Sequence, residues 1–190
     1  MHIAILTFDG FNELDSLIAL GILNRAAGPD WSVAITSPTE TVTSMNGVVL
    51  HAQAGLDTVA SADVVRDADL MAQLQLDPSR QLVGAQCSGA LVLATLGLLR
   101  DVPACTDLTT RPWVVDAGVR VLDQPFFAKG NVATAGGCLA AQYLATWVIA
   151  RLAGTDAAAA AMHYVAPVGE KEQYVQRALA QVTPYLDAAS

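Results

Sequence analysis

Basic side chains are scarce in this chain. Ten Lys and Arg stand against eighteen Asp and Glu, giving a net charge of −8 over 190 residues. That balance argues against nucleic acid as a partner and leaves a small molecule or another protein. Charge of either sign is thin, at 15%, while 53% of the residues are hydrophobic, which excludes a disordered chain. No uninterrupted apolar run reaches about 18 residues, so no membrane span is expected. The opening MHIAILTFDG lacks a basic n-region and reads as a strand rather than a signal peptide. Cysteine is limited to Cys87, Cys105 and Cys138. An odd number at wide spacing suggests neither a disulfide framework nor a zinc motif, and a reducing cytoplasm is the expected compartment. Internal repeats and linker-like breaks are also missing, so residues 1–190 are expected to form one domain.

What is present is a regular alternation of apolar runs and helix-period segments. IAILTF reads as a buried strand, followed by a helix over 13–27 that stops near Gly28-Pro29. WSVAITS is a second strand. Asn46-Gly47 marks a hairpin turn with VVLHA as its return strand. ADVV is a short third strand, 68–76 a helix, QLVGAQ a fourth strand and 88–99 the next helix. Shorter strands are expected near 103–106, 119–122 and 131–135, with helices over 108–117, 137–153, 156–163 and 170–187. The alternation implies an α/β fold: a three-layer sandwich with a mostly parallel central sheet and helices on both faces. Such sheets bind ligands outside the carboxyl ends of their strands.

Cys87 lies where QLVGAQ ends and the next helix begins, which is that edge. A nucleophile on a sharp strand-to-helix turn needs small residues two positions away on each side, and Ala85 and Gly89 meet that need. The following helix would direct its dipole at the sulfur and lower the thiol pKa, and the Ser88 backbone N–H is positioned as an oxyanion donor. The plainer alternative is an inert buried thiol, the ordinary state of free cysteine and the expected one for Cys105 and Cys138. Cys138 could instead approach the cleft as a resolving thiol. His2, His51 and His163 are poorly placed as partners for a Cys–His pair, His2 being at the wrong end of its strand. Glu13 and Asp15, entering the first helix at the same edge, are better candidates. Two positions apart, they cannot share a helix face, and both also suit the positive end of a helix dipole.

Taken together, IAILTFDGFNELD, GAQCSGALVLATLGLL, ACTDLTTRPW and GNVATAGGCLAAQYLATWVIARL resemble the ThiJ/PfpI superfamily over nearly the whole chain. The fold this implies is the flavodoxin-like sandwich of the class I glutamine amidotransferases. The resemblance implies an acid on the first helix that bonds the elbow cysteine, and the motif falls on Asp15. A carboxyl beside a thiolate would have a raised pKa and share a proton with it. Ser88 replaces the histidine that follows the cysteine in the PfpI-type proteases, and the late His–Glu pair of the amidotransferases is missing. The parkinsonism-associated branch has glutamate at the acid position and histidine where this chain has Arg111. The isocyanide hydratase-like branch, with an aspartate and a short hydroxyl residue after the cysteine, matches Asp15, Cys87 and Ser88. That likeness implies a lyase-type hydration of an isocyanide to an N-formamide through a Cys87 thioimidate. It needs no metal or organic cofactor, and its partners are a small-molecule substrate and a second copy in a homodimer. Glu13, Arg111 and Cys138 are further pocket candidates.

One departure stands out. The family follows its third strand with a Gly-rich loop whose N–H completes the oxyanion site, yet no glycine occurs between Gly55 and Gly84. Either the loop is deleted, at a cost of about 10²–10³ in rate for a lost donor, or the 190-residue sequence omits a segment. An intact mass above 19.8 kDa would indicate the latter. Two other functions compete. One is redox or stress sensing through oxidation of Cys87. The other is a sensor domain of the kind fused to DNA-binding modules, although this chain has no basic helix-turn-helix of its own.

Overall fold

The computed structural model describes residues 1–26, 28–56, 74 and 76–186. The chain opens with β1 (His2–Leu6), α1 (Glu13–Leu23) and β2 (Ser32–Thr36), and β1 and β2 pair in parallel with Ile3 opposite Val33. α1 starts where Asn12 accepts a 3.0 Å bond from the Leu14 N–H through its side chain. It stops at Leu23 rather than at 27. Asn24 Nδ2 takes the Leu20 carbonyl at 2.9 Å and Trp31 Nε1 takes that of Leu23 at 3.0 Å, so the last-turn acceptors are satisfied without further helix.

The expected hairpin forms from β3 (Thr41–Thr43) and β4 (Val49–His51), with Gly47 at φ 86° in its turn. The expected ADVV strand, most of the 68–76 helix and the position of the missing Gly-rich loop lie outside the described residues.

The second half contributes β5 (Val83–Gln86), α2 (Gly89–Thr95), α3 (Arg111–Asp116), β6 (Phe126–Lys129) and β7 (Val132–Ala135). It ends with α4 (Ala141–Ala153), α5 (Thr155–Val165) and α6 (Lys171–Val182). A 3₁₀ turn, Cys138–Ala140, begins the predicted 137–153 helix, and another, Thr183–Tyr185, replaces the end of the 170–187 helix. β5 and β7 pair in parallel, and β6 joins β7 antiparallel. β6 was not expected, because FFAK carries no alternation to mark it. The strands expected near 103–106 and 119–122 reduce to one bridge between Ala104 and Val121.

Helices cover both faces, as the alternation implies. Val83, Ala85 and Val132 pack with Ala90, Leu93 and Val114 of α2 and α3. On the opposite face, Ala133 and Ala135 pack with Tyr143, Trp147 and Ile149 of α4, and Ile22 and Leu23 of α1 join them. Gly84 allows that second layer to close: a Cβ there would meet Leu144 Cδ1 at 2.8 Å.

Candidate active site

β5 ends at Gln86, and the chain reverses at once into α2 through Cys87. Cys87 has φ 48°, the only positive φ at a non-glycine among the described residues. Left-handed backbone at a side chain with a Cβ costs of order 1–3 kcal/mol, so the neighbours must hold it. They do so at both ends. The Cys87 N–H donates to the Ala135 carbonyl at 2.8 Å, continuing the β5–β7 ladder, and the Thr106 hydroxyl donates to the Cys87 carbonyl at 2.7 Å. Gly136 makes room for Thr106, since a Cβ at 136 would meet the Thr106 carbonyl oxygen at 2.4 Å. Ala85 and Gly89 are buried beside the turn, and Ser88 is the helical N-cap of α2. The Ser88 and Gly89 N–H groups have no protein acceptor among the described residues.

The turn opens into a cleft of about 610 Å³ at the carboxyl ends of β1 and β5. Asp15, from the first turn of α1, reaches Cys87 across it. The thiol donates to Asp15 Oδ1 at 3.6 Å, and Gln86 Nε2 donates to the sulfur at 3.4 Å. Cys138 stands on the third side, and Asn12 Nδ2 donates to its sulfur at 3.3 Å. The ligand atoms of Asp15, Cys87 and Cys138 all lie within 4.8 Å of one another. Phe8, Phe11 and Trp113 line the cleft, together with the carboxylates of Asp9 and Asp107, and no Lys, Arg or His is among its described lining residues.

The electrostatics differ from the sequence expectation at both groups. The Asp15 carboxyl is raised above its ordinary value, as expected, but burial is the largest cause, while the Cys138 and Cys87 hydrogen bonds pull it down. The Cys87 thiol is raised rather than lowered, first by burial and then by the Asp15 charge. The thiol therefore keeps its proton at neutral pH and offers it to the carboxylate.

The other predicted residues fall outside the cleft. Glu13 points to the β3–β4 turn, where Ser44 and Asn46 hydrogen-bond it and hold its carboxyl below the usual range. Arg111 begins α3, and its N–H donates to Asp107 O at 3.0 Å. His2 bonds Ser32 Oγ at 2.9 Å, and His163 lies 3.8 Å from Glu172. Sequence reasoning missed Asn12, Gln86, Thr106 and Asp107. Only Asn12 carried a readable signal, as an N-cap residue before an acidic first turn.

No family model matches the chain, and no curated protein matches it in sequence. Solved structures match it in fold. DJ-1 of Schizosaccharomyces pombe superimposes with a TM-score of 0.72 at 16% identity, over 88% of this chain and 100% of that one. A ThiJ/PfpI family protein from Pseudomonas syringae gives 0.73 at 19% identity, over 98% of this chain and 89% of its own. An AraC family transcriptional regulator from Pseudomonas putida gives 0.76 at 17% identity, over 87% and 99%. Identities this low carry the architecture alone. The elbow cysteine thus sits on an α/β sandwich of the DJ-1/ThiJ/PfpI fold.

Proposed function

We propose that Cys87 and Asp15 form a nucleophile–acid pair that hydrates an isocyanide to an N-formamide. The carrying observation is the strained Cys87 turn with its thiol 3.6 Å from Asp15 Oδ1 inside the cleft. Because the thiol is protonated, the carboxylate acts first as a general base. As the sulfur bonds the terminal isocyanide carbon, the thiol proton passes to Asp15. Asp15 then returns that proton to the same carbon, leaving a thioimidate, R–N=CH–S, and a carboxylate. The carboxylate takes a proton from water as hydroxide adds to the carbon, and the nitrogen receives that proton. Collapse expels sulfur, the hydroxyl proton returns by way of Asp15 to the thiol, and R–NH–CHO is released. Water is the only reagent consumed. The described lining favours a neutral, apolar substrate: among the described residues it offers aromatic rings and carboxylates but no cation to hold an anion.

The test is incubation of the protein with aryl and alkyl isocyanides, following loss of the isocyanide stretch in the infrared and formation of formamide. The parent is expected to turn over, Cys87→Ser to be inactive, and Asp15→Asn to lose about 10²–10⁴ in rate. A folded parent that hydrates none of them refutes the reading. Peroxide-dependent oxidation of Cys87 without turnover would then favour the sensing role.

A further inference from the structure

We propose that Asp15, Cys87 and Cys138 form a binding site for a thiophilic divalent cation of the Zn²⁺ class. Zinc bound by thiolate at about 2.3 Å and carboxylate at about 2.0–2.2 Å in a tetrahedron sets edges of about 3.5 Å for S···O and 3.8 Å for S···S. Cys87 Sγ and Asp15 Oδ1 are already 3.6 Å apart. No pair among the three ligand atoms exceeds 4.8 Å, so closure on an ion needs a shift of about 1.3 Å at most for an S···O pair and about 1 Å for the S···S pair. Side-chain rotation at Cys138 can supply that shift, because this residue is only partly buried on its 3₁₀ turn.

Each ligand comes from a different fixed element: the first turn of α1, the turn after β5, and the turn after β7. The last two are tied together by Gln86 Nε2, which donates to the Gly137 carbonyl at 2.8 Å. Asn12 supplies an outer contact through its 3.3 Å bond to Cys138 Sγ, the kind of support that orients a ligand atom. Two sulfurs and one carboxylate select zinc-like ions over magnesium or calcium, which take oxygen. The surrounding lining is acidic, with Asp9 and Asp107 nearby and no described cationic side chain, so the local charge also favours a cation. Three protein ligands leave the fourth position to water at the open mouth of the cleft.

Binding replaces the two S–H bonds by two S–metal bonds and releases two protons to solvent, with no change of oxidation state. The same sulfur cannot then attack a substrate, so cation binding and covalent chemistry at Cys87 exclude each other. The site itself does not depend on the isocyanide reading, since it uses the resting geometry alone. Sequence spacing gave no hint of it, because the fold joins residues from three distant segments.

The experiment is an anaerobic titration of the reduced full chain with Co²⁺, used as a spectroscopic stand-in for Zn²⁺. The expected result is one ion per chain, with the visible bands of a tetrahedral centre and near-ultraviolet sulfur-to-cobalt charge transfer of two-thiolate intensity, displaced by Zn²⁺. Cys138→Ser and Cys87→Ser should each remove about half of that charge-transfer intensity, one thiolate of two. Asp15→Asn should retain it but weaken binding by about tenfold or more. Circular dichroism checks that each variant is folded, and Cys138→Ser alone decides the matter if Cys87→Ser does not fold. Weak octahedral bands only, no charge-transfer band, or a band that survives Cys138→Ser at full intensity would overturn the proposal. Isocyanide turnover plays no part in the readout, so either proposal can fail without the other.

Discussion

Replacing Gly136 by alanine should damage the candidate site without touching any of its reactive atoms. The added Cβ would lie 2.4 Å from the Thr106 carbonyl oxygen, 2.8 Å from its nitrogen and 2.9 Å from its carbonyl carbon. All three are backbone atoms, so no side-chain rotation relieves the contact, and the 106 segment must move by about 1 Å to reach ordinary separation. Overpacking of this kind costs about 1–3 kcal/mol. Moving Thr106 also withdraws its hydroxyl from the Cys87 carbonyl, now 2.7 Å away, at about 1 kcal/mol for a lost hydrogen bond. The sum is about 2–4 kcal/mol, which for a chain of this length lowers Tm by about 4–16 °C. Urea and thermal unfolding measure it. Gly21→Ala is the control: nothing lies within 4 Å of a Cβ there, and the site is inside α1, so stability should rise by up to about 1 kcal/mol. A Gly136→Ala variant within 0.5 kcal/mol of the parent would refute the argument that Gly136 lets Thr106 hold the Cys87 turn.

Three further predictions concern the titrating groups. The raised Asp15 carboxyl ionises later in the folded chain than in the unfolded one, so its contribution is complete below its ordinary value of 3.8 and is lost as pH rises through the folded pKa. Asp15→Asn should therefore gain on the parent between pH 4 and pH 7 in urea unfolding, and a gap that narrows would contradict the burial of Asp15. Burial pushes the Cys105 thiol up to about 12, so from about pH 9 upward the unfolded chain gives up a proton that the folded chain keeps. Stability should fall from pH 9 toward 12 and fall less steeply in Cys105→Ala, as read by chemical denaturation across that range. Glu13→Gln should leave the alkylation rate of Cys87 unchanged, because Glu13 bonds Ser44 and Asn46 at the hairpin turn. A rate change comparable to that of Asp15→Asn would place Glu13 in the site after all.

Much of the architecture was legible because it rests on local rules. β1 with α1, β5 with α2, and the Asn46-Gly47 turn all follow from runs, caps and turn residues. The elbow was legible for the same reason, since Ala85 and Gly89 mark a tight turn in sequence. β6 was not, because FFAK has no alternation and its pairing with β7 is a tertiary event. The end of α1 was misjudged because Trp31, in the next segment, accepts no part in helical periodicity yet caps the Leu23 carbonyl. The thiol's pKa went the wrong way for a similar reason. A helix N-terminus is visible in sequence, whereas the burial of Cys87 and its distance from Asp15 exist only once the chain is folded. Cys138, named from sequence as a pocket candidate, meets the other two only because β5 and β7 are neighbours in the sheet.

The most direct test of the central claim, that Cys87 and Asp15 act as one proton-sharing unit, is the alkylation rate of Cys87 against pH. It is followed by mass spectrometry of the peptide that carries Cys87, so that Cys138 does not obscure it. The expected result is an inflection above the ordinary cysteine value of about 8.5, moving to lower pH in Asp15→Asn as the opposing charge is removed. An inflection at or below about 8.5 that ignores the Asp15 substitution would contradict it.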